Sequence, residues 1–132
     1  MDTSGTVERR ARFQPDLGSP AAARAFVRSE LEEEHVPDPP LETAILLTSE
    51  LVSNALLHAR TEVDLRLVLA ASGVRVEVHD SGVRQPPASP APAPLEATTG
   101  RGLMMVDALA QSWGVDGTVD GKTIWFELPV AR

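Results

Sequence analysis

Glu50 and Asn54 stand four residues apart in the run Thr48-Ser-Glu-Leu-Val-Ser-Asn-Ala-Leu-Leu-His-Ala59. On a helix that spacing puts both on one stripe, a turn from each other. A carboxylate and an amide oxygen so placed suit hard-cation chemistry. Mg²⁺ prefers oxygen ligands and keeps several waters, so one protein oxygen suffices where phosphates supply others. A nearby carboxylate can then orient or deprotonate a nucleophile. Taken alone, E-x-x-x-N is common by chance and also describes the edge of an amphipathic helix. His58 continues the stripe and alone reads as a packing or surface histidine.

Two glycine motifs follow. Asp80-Ser81-Gly82 comes directly after the alternating run Val74, Val76, Val78. An aspartate at a strand end can accept a hydrogen bond from an exocyclic amine, and glycine lets a planar ring approach the backbone. The same tripeptide also makes an ordinary turn. Gly100-Arg101-Gly102-Leu103 opens a helical pattern. Helix N-termini carry free N–H groups and a partial positive charge, and so bind anions. Glycines let those groups reach phosphate oxygens, and Arg101 can add a charge-assisted contact. A lone G-x-G is also a common turn before a helix. Gly121-Lys122-Thr123 heads the last strand. The order of these features along the chain says more than any one of them.

The elements that must position these residues are legible from periodicity. Residues 1–8 read as a loose tail, and Arg10–Gln14 as a short edge strand around Phe13. Ser19-Pro20 reads as an N-cap with proline at the first helical position. The helix from 20 to 35 presents Ala23, Phe26, Val27 and Leu31 on one face. Its acidic end, Glu32-Glu33-Glu34, reads as a solvated face. Asp38-Pro39 repeats the cap signal before a helix over 39–59, where Leu41, Ala44, Ile45, Leu47, Leu51, Val52, Ala55 and Leu56 share one arc. Alternation over 63–70 and 74–79, with Ser72-Gly73 between, predicts a hairpin. Residues 83–99 carry five prolines and almost no large apolar group, so they cannot form core. A third helix is expected from Gly102 to Gln111, with Gly114 as a turn after it. Two strands over 113–128 then meet at Asp120-Gly121. Helices, hairpin, helix, hairpin is the pattern of an α+β, two-layer α/β sandwich: a mainly antiparallel sheet with helices on one face.

The 132 residues carry 42% apolar side chains but only 4% aromatics, so Leu, Val, Ile and Ala must fill the core. The net charge of −7 argues against a general nucleic-acid or anionic-membrane partner. With no cysteine, disulfides, thiolate catalysis and zinc–thiolate sites are excluded. No apolar run approaches the ~20 residues of a spanning helix, and the start lacks a basic n-region and an apolar h-region. A cytoplasmic location is expected.

The ordered motifs resemble the GHKL, or Bergerat-fold, ATPase family over residues 20–129. They look closest to the anti-sigma-factor serine/threonine kinases of bacterial partner switching. Thr48–Ala59 resembles the family's N box, Asp80-Ser81-Gly82 its first glycine box and Gly100-Arg101-Gly102-Leu103 its second. The resemblance implies ATP and Mg²⁺ as cofactors, with Glu50 as general base and Asn54 as magnesium ligand. It also implies that Asp80 receives the adenine amine beside Gly82. Gly100, Arg101, Gly102 and Leu103 would hold phosphate, and Thr123 would lie near adenine. Residues 83–99 correspond to the ATP lid, within one ATP-binding domain over 16–132. In two places the chain departs from the pattern: Val83-Arg84 follows where a further glycine is usual, and the lid lacks a recognisable phosphate-gripping lysine. No dimerisation helices or phosphoacceptor domain are expected, so His58 and His79 are poor candidates for phosphorylation. The implied activity is phosphorylation of an anti-anti-sigma partner. The alternative is a nucleotide-dependent module that binds a sigma factor or other partner with little or no kinase activity. A homodimer is common among such relatives.

Overall fold

The computed structural model of the protein describes residues 6–58, 61–82 and 103–130. The elements are β1 (Val7–Phe13), α1 (Ser19–Glu33), α2 (Pro40–His58), β2 (Val63–Ala70), β3 (Gly73–Asp80), a short helix α3 over 103–109, β4 (Ser112–Thr118) and β5 (Gly121–Pro129). The strands form one sheet in the order β1-β2-β3-β5-β4, antiparallel throughout. The expected α+β sandwich is present, with the helices against one face.

The alternation of β2 and β3 divides the two faces. Val63, Leu65, Leu67 and Leu69 are buried, as are Val74, Val76 and Val78 across the hairpin. Ile124, Phe126 and Leu128 extend the same inner face on β5. Onto it fall Leu47, Leu51, Val52 and Ala55 of α2, and Ala23, Val27 and Leu31 of α1, in one continuous core. Truncating a buried leucine such as Leu51 to alanine costs about 2–5 kcal/mol. Phe13 and Phe26, edge to face with centroids 6.4 Å apart, join β1 to α1. The helix α3 buries Val106, and Trp113 Nε1 of β4 donates to its Asp107 at 2.9 Å.

Four local expectations are corrected. Strand β1 begins at Val7 rather than Arg10, and its whole length pairs with β2. Its outward residues Glu8, Arg10 and Arg12 are charged, so an edge strand looks like a polar tail. Ser19 is the first residue of α1 and Gly18 is the cap; the Ser19 hydroxyl donates to the Gln14 carbonyl rather than accepting from a free N–H of the helix. Gly114 lies within β4 opposite Trp125, not in a turn. A Cβ there would come within 2.8 Å of the Trp125 ring, so this glycine makes room for an indole. Helix α3 stops short of Gln111 because the Gln111 N–H donates to the Glu127 carbonyl at 2.8 Å and enters the sheet.

The outer face is a charged lattice. Arg66 bridges Glu8 and Glu77, each at 3.0 Å. Arg75 bridges Glu77 at 2.8 Å and Glu127 at 2.7 Å, and its guanidinium lies 4.2 Å from the Trp125 ring centre. Arg66 and Arg10 hold the Glu8 carboxyl down at about 2. Arg75, with Ser112, lowers that of Glu127. The fully extended outer surface thus satisfies its own charge.

Candidate functional site

Strand β3 is central and ends at Asp80, whose backbone lies opposite Val63 on one side and Lys122 on the other. Asp80 continues the parity of Val74, Val76 and Val78, so its carboxylate points toward the helices. It is 5% exposed, a buried acid. Such a group needs compensation, because an unpaired buried charge is strongly unfavourable. Two donors supply it. The Gly82 N–H reaches Oδ1 at 3.1 Å, and the Lys122 ammonium reaches Oδ2 at 3.2 Å. The first contact is the local turn that D-S-G favours, so turn and buried acid coexist.

Helix α2 brings the other side of the site. Asn54 faces Asp80 across a narrow cleft with apolar walls from Leu51, Ala55, Val78 and Ile124; Lys122 closes it. The Asn54 Nδ2 is buried without a hydrogen-bond partner among the described residues. A polar side chain is therefore held against apolar walls with hydrogen-bonding capacity to spare. Glu50 lies one turn earlier on α2, half-buried. Asn54 and Asp80, from separate elements, thus line one cleft.

The free volume of the cleft is about 10 Å³, room for about one water. A planar ring enters only if a wall gives way. Leu51, Ala55, Val78 and Ile124 belong to the packed core. Lys122, with 32% of its side chain exposed, is the wall free to move. A larger depression of about 460 Å³ lies on the outer face beside Arg10, Arg12, Arg66 and Glu77. Its charges are committed to one another, so it is a groove between ion pairs.

Thr123 is not brought to this site. Its hydroxyl lies 2.9 Å from His79 Nδ1, and both side chains are on the outer face, away from Asn54 and Asp80. Strand alternation is the cause: Lys122 shares the side of Ile124, Phe126 and Leu128, and Thr123 the opposite one. Counting back by twos from those apolar residues would have found Lys122, the residue the motif comparison passed over. Leu103 begins α3 and packs against the core. Gly100, Arg101, Gly102 and the expected lid over 83–99 lie outside the described residues.

The donor set suits a cation that brings its own ligands. Among the described residues no three acidic or histidine groups cluster to form a metal cage. Asn54 offers one amide oxygen, which is enough for Mg²⁺ only when phosphate and water complete the shell. Among the described residues no helix is long and apolar enough to cross a membrane.

Comparison with known proteins agrees with this architecture. The chain is 40% identical over 65 residues to an uncharacterized protein of Streptomyces coelicolor, a stretch covering 48% of this chain and 62% of that protein. It superposes with a TM-score of 0.75, at 20% identity, on the solved structure of the RsbU and RsbW domains of Rv1364c from Mycobacterium tuberculosis. That match covers 96% of this chain but only 33% of the solved one, and shows the shared fold. The histidine kinase-like ATPase domain matches residues 13–128, which include α2 with its acid and amide, the buried aspartate and the sheet except β1 before Phe13 and the last residue of β5; the chain belongs to that family.

Proposed function

We propose that the protein binds Mg-ATP in the cleft between α2 and the β3–β5 strand ends and transfers the γ-phosphoryl group to a serine or threonine of a partner protein. The observation that carries this reading is the buried carboxylate of Asp80 facing Asn54 across apolar walls. An acceptor at the closed end of an apolar slot suits the exocyclic amine of a planar base. ATP is the ligand that family membership implies.

Each residue then has a task. Asp80 fixes the base, and Leu51, Ala55, Val78 and Ile124 enclose its faces. Asn54 presents its amide oxygen toward the phosphate end, where Mg²⁺ would neutralise charge on the phosphate oxygens. Glu50, one turn away, orients the attacking hydroxyl and takes its proton. Gly100, Arg101 and Gly102 are proposed to donate to phosphate oxygens at the start of α3. Positioning and charge stabilisation do most of the work in such transfers. A partner resembling an anti-anti-sigma protein is the proposed phosphate acceptor.

Incubation with γ-labelled ATP, magnesium and candidate acceptor proteins from the same genome tests the reading. Label on a serine or threonine of the partner supports it. Tight nucleotide binding with no transfer to any candidate would replace it with a nucleotide-dependent partner-binding module. No nucleotide binding by calorimetry would remove the site altogether.

A further inference from the structure

The position that pairs with Asp80 carries a lysine. We propose that Lys122 is a second base-reading residue, donating a hydrogen bond to the ring nitrogen beside the amine that Asp80 accepts. This deepens the adenine-site reading above and rests on it.

The geometry starts from the backbone. Asp80 and Lys122 are cross-strand partners on adjacent antiparallel strands, with both side chains on the helix side. Their relative position is tightly held by Gly121, which has φ +147°. A Cβ on Gly121 would lie 1.9 Å from the Asp80 carbonyl oxygen, so the head of β5 is pressed onto the end of β3. The ammonium can therefore swing while its root stays fixed beside the carboxylate.

The chemistry is a matched pair. An ammonium has three donors and no acceptor. One donor is spent on Asp80 Oδ2 at 3.2 Å. The remaining two can turn toward a ligand at the same carboxylate. Each carboxylate oxygen has two lone pairs, so Asp80 can keep Lys122 and still accept an amine. Together the two side chains offer an acceptor beside a donor. The edge of adenine offers the complement, the N6 amine as donor beside N1 as acceptor. A neutral side chain at 122 would leave N1 without a charged donor and the Asp80 charge with only the Gly82 N–H. Because the cleft is too narrow for a ring as it stands, Lys122 must shift on binding. The proposal is that it shifts while holding both Asp80 and N1.

Calorimetry with ATP, 1-deaza-ATP and purine riboside triphosphate tests this. The first analogue lacks only N1 as an acceptor, and the second lacks the amine. The wild type should bind 1-deaza-ATP about tenfold more weakly than ATP, the effect of one charge-assisted hydrogen bond. Lys122→Met should weaken ATP by a similar factor and bind ATP and 1-deaza-ATP equally, and Lys122→Gln should restore part of the discrimination. Equal affinity of the wild type for ATP and 1-deaza-ATP overturns the proposal without any variant. Tighter ATP binding by Lys122→Met also overturns it, because Lys122 is then only a plug. Equal binding of purine riboside triphosphate and ATP removes the role of Asp80 and this proposal with it.

Discussion

The two faces of the sheet use the same charges to opposite ends. On the outer face Arg66 joins Glu8 and Glu77, with side-chain exposures of 37%, 38% and 19%. On the inner face Asp80 and Lys122 form one pair, and the acid is 7% exposed by its side chain. Outer pairs of this kind contribute little, because water screens them and both side chains lose freedom. In the cleft there is little water to take the place of a lost partner, so removing one is costly. Among the described residues Glu8, Arg66, Arg75, Glu77 and Glu127 pair with one another on the outer face, whereas Asn54 Nδ2 in the cleft has no hydrogen-bond partner. A surface that satisfies itself is structural; a buried site that does not is ready for a ligand.

The largest effect is expected at the cleft. If Glu50 takes the hydroxyl proton, Glu50→Ala lowers phosphoryl transfer to a confirmed partner by ~10²–10⁴-fold and leaves ATP affinity nearly unchanged. Equal rates for the variant and the wild type in a single-turnover assay would show that Glu50 has no such role. Asn54→Ala should lower both transfer and affinity.

Two glycine substitutions compare the faces directly. Gly121→Ala sets a Cβ against backbone atoms of Asp80 and Ser81 at a φ that alanine rarely adopts, so neither side can give way. Urea denaturation should show a loss of at least about 1–3 kcal/mol, the cost of such backbone strain alone. For Gly114→Ala the nearest atoms are those of the Trp125 ring, at 2.8 Å. That ring lies on the open face and can turn aside, so the loss should be about 1 kcal/mol or less. If Gly114→Ala proves the more damaging, the outer face is more rigid than its open lattice indicates.

Asp80→Asn should weaken ATP binding by about tenfold or more, since an amide can present a donor where an acceptor is needed. Unchanged affinity by calorimetry would move the base elsewhere. The same substitution also leaves Lys122 without its anionic partner, so thermal unfolding without nucleotide should be measured alongside.

The smallest effect belongs to the lattice. The Glu8 carboxyl is lowered from 4.5 to about 2, first by its hydrogen bonds with Arg66 and Arg10. Its folded value lies below its unfolded one, so its stabilisation is complete above pH 4.5 and is lost as pH falls from 4.5 toward 2. Glu8→Gln should flatten that part of the pH–stability profile slightly, and ~1 M salt should erase most of the difference. A difference that persists at high salt would mean that Glu8 acts through packing rather than charge.

Local periodicity made much of the molecule legible. The arc from Leu41 to Leu56 and the alternations Val63–Leu69 and Val74–Val78 each require one face to be buried, and they appear as expected except that Leu56, at the edge of the arc, is only half-buried. Glu50 and Asn54 share a stripe because their spacing is set within α2, whereas only the packing of α2 on β3 brings Asn54 to the cleft that Asp80 lines. β1 was read too short because its outward Glu8 and Arg12 find their partners Arg66 and Asp64 on β2, dozens of residues away. Thr123 was assigned to the site by its place in a motif, yet alternation turns it to His79, 44 residues earlier in the chain.

The amino-acid sequence by itself determined the elements, their buried faces and the relative parity of neighbouring residues, because those follow from the 3.6- and 2-residue periods of the backbone. Only the tertiary structure decided which strands are neighbours. It placed β5 beside β3 although helix α3 and β4 lie between them in sequence, and so set Lys122 against Asp80. That choice comes from burying all the apolar faces in one core, a condition on the whole chain that no single segment contains.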